Sequence, residues 1–396
     1  MACGTDVMRE SPLSVVDSAG VQIASIGVPP SSLPVWTLAP TAELVLNEAE
    51  TGDSTAFAQV GPVRWLSNDG LAIADVASQR VLLYDAAGRL VRALGRRGDG
   101  PGEFRRLEML SVLPGDTLTT FDPRQRRLSV WHPDTGLVRS MSLAADGSLD
   151  SRPADAWLWR EAIVVFQLSI TPLDSVPAGS GVRRWPTRVH LALRDTSGGT
   201  LIESARFSGP YSGIVEHGDV RLPFANRPFV AVSHDRIYFG SGSAFEIAYL
   251  DSAFRLSGIV RWPAQSEPLE PGEVARLKAE LDRLLQQQNV PPGPRTALNQ
   301  SFAPEILPDE RPAIGRVFVG ADGRLWVERF EPVRLGTALQ TPGDRWTILE
   351  ADGTPVATLK LPPLARLEDV RGDHVVVVQR DSLDVQTVAI FRIQRR

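Results

Sequence analysis

The sequence predicts an all-β fold, a six-bladed β-propeller, on three observations. Short runs rich in Val, Ile, Leu, Phe, Tyr and Trp follow one another along the chain, the composition of half-buried strands. Tight turns built on Asp, Asn and Gly separate them. These turns fall into two series that recur together, so the repeating unit is four short antiparallel strands, which is the unit of a propeller blade.

The first series sets the number of blades. "WLSNDGLAIADV" bends at Asn68, Asp69 and Gly70, and "SVLPGDTLTTFD" at Gly115 and Asp116. "AWLWREAIVVFQ" supplies a weaker bend near Arg160, and "AVSHDRIYFG" one at His234 and Asp235. "VFVGADGRLWVE" bends at Asp322 and Gly323, and "EDVRGDHVVVV" at Gly372 and Asp373, which makes six. The second series lies one hairpin later. It comprises Asp85 and Gly88 in "LLYDAAGRLVRAL", Asp134 and Gly136 in "SVWHPDTGLVRSM", and Asp352 and Gly353 in "TILEADGTPVATL". "LALRDTSGGTLIES" is a looser copy, and "IAYLDSAFRLSGIV" lacks the glycine.

The last unit ends one strand short, after Val375 to Gln379 and Val388 to Ile393. The stretch "GVQIASIG", Gly20 to Gly27, is the candidate for the missing outer strand, so the ring is expected to be closed by an N-terminal strand that leaves no bare sheet edge. Residues 1–13 read as a tether or linker, and residues 14–396 as a single propeller. One insertion, about residues 270–289, breaks the pattern. In "LEPGEVARLKAELDRLLQQQ", Pro271 and the acidic Glu270 and Glu273 suit a helix start. Val274, Leu277, Leu281 and Leu284 give an amphipathic helix its stripe, and "NVPPGPRTALNQ" is expected to stop it.

Composition narrows the function. An apolar share of 43% supports a sizeable core, and the net charge of −5 argues against a general nucleic-acid binder. No apolar run reaches the roughly 18 residues a membrane-spanning helix needs. Cys3 is the one cysteine, which removes disulfide frameworks and cysteine-based zinc sites.

The joint "LGRRGDGPGEF", Leu94 to Phe104, lies between the outer strand of the first unit and the inner strand of the second. Its glycines permit positive φ, Pro101 fixes one φ, and Phe104 can anchor the loop between blades. A phosphate-cradling loop would need a helix after it, and a strand follows. This joint resembles the linkers of NHL-repeat propellers. It is closer still to the TolB-like six-bladed propellers of the bacterial lipoprotein type, to whose start "VVDSAGVQI" and Trp36 to Leu38 are similar. "MACGTD" looks like a bacterial lipoprotein cleavage site, with Cys3 as the lipidated residue. The resemblance implies a cell-envelope protein, periplasmic or at the cell surface, that touches membrane only through a lipid anchor at Cys3.

Six-bladed catalytic propellers hold calcium with Glu, Asn and Asp, or zinc with three histidines, at the channel mouth. Of the five histidines, His234 and His374 fall in inner hairpin turns, His132 lies beside an outer hairpin and His190 is within a strand. His217 alone lies on a loop at the expected mouth, so a zinc lyase is disfavoured. The carboxylates Glu216, Asp219 and Glu331 are placed to reach the mouth, where a calcium site would draw on several blades. The mouth loops are long, as recognition loops on rigid scaffolds commonly are. They carry Arg183, Arg184, Trp185, Tyr211, His217, Arg221, Arg329 and Arg334, and a shorter neighbouring loop adds Arg126 to the expected ligand-binding set. The resulting expectation is a non-catalytic ligand- or protein-binding propeller without a cofactor, recognising a small anionic ligand, a glycan or a protein at the channel mouth. The alternative is a metal-dependent hydrolase or lyase of the calcium type at the same mouth.

Overall fold

The computed structural model describes residues 12–46, 57, 59–143, 151–169, 182–197, 199–215, 218–265, 267–287, 289, 291–332, 343–381 and 385–395. Six antiparallel sheets follow one another along the chain. Blade one comprises Val60–Trp65, Leu71–Asp75, Arg80–Tyr84 and Leu90–Leu94, and blade two Met109–Leu113, Thr117–Asp122, Arg127–His132 and Gly136–Ser142. Blade three comprises Ser151–Trp159, Ala162–Ser169, Arg183–Arg194 and Thr200–Val215, with a fifth strand, Gly218–Arg221. Blade four comprises Phe229–Val232, Ile237–Gly240, Glu246–Leu250 and Leu256–Arg261, and blade five Ile314–Val319, Leu325–Arg329, Arg345–Leu349 and Pro355–Lys360. Blade six comprises Arg366–Arg371, His374–Arg380 and Gln386–Arg395, with Leu44–Leu46 paired outside them.

The turn chemistry explains why the strands break where they do. Asp69 (φ 63°), Gly115 (76°), Asp116 (57°), Arg160 (57°), Gly323 (80°) and Gly372 (62°) all take left-handed conformations at the inner hairpins. Gly88, Gly136 and Gly353 do so at the outer hairpins. In the outer hairpin without a glycine, Phe254 adopts φ 60°, a strained conformation for a bulky side chain. Its ring is 3% exposed and packs 6.4 Å from Trp159 of blade three, so burial of the ring offsets the local strain.

Each blade buries both faces against its neighbours, and a distinct apolar cluster fills every interface. Leu83 and Leu94 of blade one meet Leu110, Leu118 and Trp131 of blade two. Phe121 and Leu128 meet Leu158 and Ile163 between blades two and three, and Val164 and Leu191 meet Ile237 and Leu250 between three and four. Tyr238 and Ile247 meet Ile314 and Val327, and Trp346 and Ile348 meet Val375 and Leu367. Val376 and Val388 of blade six then meet Val63 and Ile73 of blade one. Six sheets joined by six interfaces make a closed ring, since an open row would have five.

The glycine-rich joint takes the chain from the rim of blade one to the axis of blade two. Gly95 (φ 75°) needs both its backbone freedom and its missing side chain, because a Cβ there would lie 2.3 Å from the Phe104 ring. Phe104 is 2% exposed and 5.6 Å from the Trp131 ring, in the cluster shared by both blades. The loop is a rigid corner, with Gly100 N–H donating to Glu103 Oε2 at 2.8 Å.

Three sequence expectations are corrected. Gly20 to Gly27 does not complete the last blade. Val21–Ile26 runs parallel to Leu256–Arg261 on the outer edge of blade four, and Leu13–Ser18 pairs outside it. Ala24 and Ile26 join the cluster between blades four and five there, whereas the strand next to Gln386–Arg395 is Leu44–Leu46. Between these, Val35–Leu38 pairs with both Pro355–Lys360 and the end of Gln386–Arg395. Second, "NVPPGPRTALNQ" does not merely stop a helix. Helix α1 (Pro271–Gln287) is followed by helix α2 (Pro292–Gln300), for which Pro291 and Pro292 form a start signal. Leu285, rather than Leu284, is buried beside Leu281 against Phe302. Third, Arg183, Arg184, Trp185, Tyr211 and Arg221 lie in strands, because the outer strands of blade three run far beyond the other blades.

Candidate functional site

The first strand of each blade lines the central channel, a cavity of about 590 Å³. Small-molecule sites commonly fall in this size range. Blades one, three and five supply the half-buried aromatics Trp65, Trp157 and Phe318. Blade four supplies the aliphatic wall of Val230 and Val232. The ionisable groups are Arg64, Glu108, Asp155, Arg316, Glu368 and Asp369.

Most of this charge is already partnered within the wall. Glu368, whose side chain is 2% exposed, lies 3.8 Å from Arg64 Nη1 and 3.5 Å from Arg316 Nη1, and also pairs with Arg366. It accepts the Val63 N–H at 3.3 Å. Arg64 donates to the carbonyls of Val63 (2.8 Å) and Glu368 (3.0 Å), while Arg316 donates to Leu367 O and lies 5.2 Å from the centre of the Trp346 ring. Asp369 accepts the N–H groups of Trp65 (3.0 Å) and Val370 (2.8 Å). This network ties blades five, six and one together at the axis.

Asp155 differs. Its carboxylate accepts the N–H of Ala156 at 2.9 Å and has no ion pair among the described residues. Its side chain is half-buried and lines the channel. Desolvation, aided by the nearby Glu108 charge and opposed by that Ala156 bond and Arg64, pushes its pKa up to about 8. Burial also raises Asp369, and Glu328 behind the wall, although Arg316 stands 4.0 Å from Glu328.

The expected mouth residues are distributed unevenly. Arg184 and Tyr211 come together, the guanidinium 4.4 Å from the ring centre, and both line a second recess of about 350 Å³. Phe224, Asn226, Pro308, Asp309 and Glu310 complete much of its wall, and Tyr211 also meets the helical insertion beside Ala297 and Leu298. Arg329 is paired with Glu267, and Arg126 occupies a left-handed turn (φ 50°) in blade two. The backbones of Arg183, Trp185 and Arg221 are in blade three, but their side chains, with His217, Glu216, Arg334 and Cys3, lie outside what the structure describes. Glu331 is 3.1 Å from Arg311, and burial raises its pKa despite that partner. His374 contacts Glu43 at 3.0 Å and Asp373 at 2.9 Å. Among the described residues no three His, Cys, Asp or Glu side chains gather in a metal-holding group.

The channel charges themselves escaped the sequence reading. A usable signal was present: Arg64, Asp155, Arg316, and Glu368 with Asp369 interrupt the apolar first strands shortly before the inner hairpin of four blades. A charge inside such a strand belongs to the channel side, because the sheet faces are packed against other blades.

Residues 48–128 match the family model DUF5128, described as "6-bladed beta-propeller". No curated protein sequence matches the chain. Among solved structures, a member of the DUF4221 family from Bacteroides vulgatus is similar at 11% identity and a TM-score of 0.54, over 91% of this chain and 98% of that one. A gluconolactonase from Xanthomonas campestris is similar at 13% identity and a TM-score of 0.43, over 90% of this chain and 100% of that one. The calcium-binding protein regucalcin from Agrobacterium tumefaciens shows 9% identity and a TM-score of 0.41, over 92% and 97%. At such identities a likeness speaks for the fold alone. Six successive sheets, six interfaces and the family match agree: the chain is a six-bladed β-propeller.

Proposed function

We propose that this chain is a ligand-binding propeller of the bacterial envelope whose recognition site is the central channel and its mouth. The observation that carries this reading is the channel itself, which combines half-buried aromatics with a carboxyl group that has no ion-pair partner among the described residues. Partly desolvated, incompletely matched groups in a roomy cavity favour a ligand that supplies the missing partner. The envelope assignment rests on "MACGTD", with Cys3 as the anchor point, and on the TolB-like joint. In this reading residues 14–396 act as one unit, sealed by Leu44–Leu46 on the last blade and carrying the helical insertion on its mouth side.

The test is calorimetric screening of small cations, anions and sugars against the chain and against Ser111→Trp, which fills the channel from blade two. Binding that the substitution abolishes while the melting curve is retained supports the channel. Binding that survives it moves the site elsewhere, the recess at Arg184 and Tyr211 being next in line. Stoichiometric calcium or zinc in purified protein would instead favour the hydrolase or lyase reading. Loss of lipid labelling in Cys3→Ser tests the anchor.

A further inference from the structure

We infer that the channel takes an organic cation, a protonated or quaternary amine on an apolar body, with Asp155 as its counter-ion. This deepens the channel-binding reading and rests on it. Two arginines and four carboxyl groups line the cavity, and both arginines already share their charge with Glu368. Arg64 donates to two backbone carbonyls, and Arg316 donates to a third while facing Glu368. An anion entering the channel would meet four carboxyl groups and two guanidinium groups already shared with Glu368 and backbone carbonyls.

A cation meets complementary surroundings. Trp157 offers aromatic surface to its charge and apolar body, while Trp65 and Phe318, 5.9 Å from Arg371 and 5.8 Å from Arg316, offer apolar surface. Glu108, at the edge of the first strand of blade two, is 2.5 Å from Arg106 and partly neutralised by it. Asp155 alone in this set lacks both a cation and a second N–H donor among the described residues. Burial keeps it largely protonated at neutral pH, so a bound cation would displace its proton. The other ionisable groups of the wall are Glu108 from blade two, Arg64 from blade one, Arg316 from blade five, and Glu368 and Asp369 from blade six.

Benzyltrimethylammonium is a suitable probe because its charge does not titrate. Calorimetry should show its affinity rising about tenfold between pH 7 and pH 9, as the carboxyl group ionises around its raised pKa. Asp155→Asn should bind more weakly and without that pH dependence. If this variant fails to fold, the intact chain still decides the matter. Titrations in two buffers of different ionisation heat should show close to one proton released per cation at pH 7. Affinity independent of pH with no proton released, or calcium alone displacing the probe, overturns the inference. If benzoate or benzyl alcohol binds instead and Ser111→Trp blocks it, the cation assignment fails while channel binding stands. If no probe binds or quenches the channel tryptophans, both fail.

Discussion

Replacing Glu368 with Gln tests whether the axial network holds the blades together. The substitution keeps the side-chain volume and leaves an oxygen for the Val63 N–H, but removes the charge that faces Arg64, Arg316 and Arg366. Orphaning one partner of a fully buried pair costs about 3–5 kcal/mol, whereas exposed pairs are worth about 0–1 kcal/mol. This site falls between the two. Glu368 is 2% exposed, but the three arginine side chains are 28%, 33% and 29% exposed, so water screens them. Each also keeps backbone carbonyl partners. The expected loss is therefore about 1.5–3 kcal/mol. Urea unfolding measures it, provided tryptophan fluorescence and circular dichroism give coincident transitions and an unchanged slope. A double-mutant cycle with Arg316→Met should show coupling, since the two side chains are in contact. An unchanged midpoint for Glu368→Gln would refute the claim that this carboxylate locks three blades at the axis.

Four further outcomes are expected. Leu46→Asp places a charge where Leu46 is 6% exposed between blades six and one, and should lower stability by about 2–5 kcal/mol in a denaturant titration. Gly95→Ala should destabilise more than Gly115→Ala by thermal melting: both residues have positive φ, but a Cβ meets Phe104 at the first and nothing within 4 Å at the second. Leu281→Asp should reduce helical signal and raise proteolysis around α1 and α2 while the β-sheet signal persists, because Leu281, Leu285 and Phe302 form a cluster of their own. Asp155, Asp369 and Glu328 have raised folded-state values, so their contribution to stability is fully present below the unfolded carboxyl range near pH 4 and is lost as pH rises. For Asp155 that loss ends above about pH 8, so Asp155→Asn should gain stability relative to the parent between pH 4 and pH 9 in parallel urea titrations.

How much was legible in the sequence depends on how local the determinant is. The six inner hairpins were readable from their turn residues, and five of them use left-handed backbone, which Asn68-Asp69-Gly70 and Asp322-Gly323 announce within a few residues. The weakest of them, at Arg160, was still readable from its flanking strands. The partner of Val21–Ile26 was not. Its alternation fits any uncovered sheet edge, and the choice of Leu256–Arg261 is made by Ala24 and Ile26 packing between blades four and five. The contacts of the mouth arginines were not readable for a related reason: a list of cations does not show that Arg329 faces Glu267 or that Arg184 lies on Tyr211.

The sequence by itself determined the repeat, its number and the corner at Gly95 to Phe104, since each is set by backbone preferences and apolar alternation over a dozen residues. Only the tertiary structure decided which edge each N-terminal strand joins and that Arg64, Asp155, Arg316 and Glu368 share one cavity. Those residues are separated by up to about three quarters of the chain, and closure of the ring is what brings their charges within reach of one another.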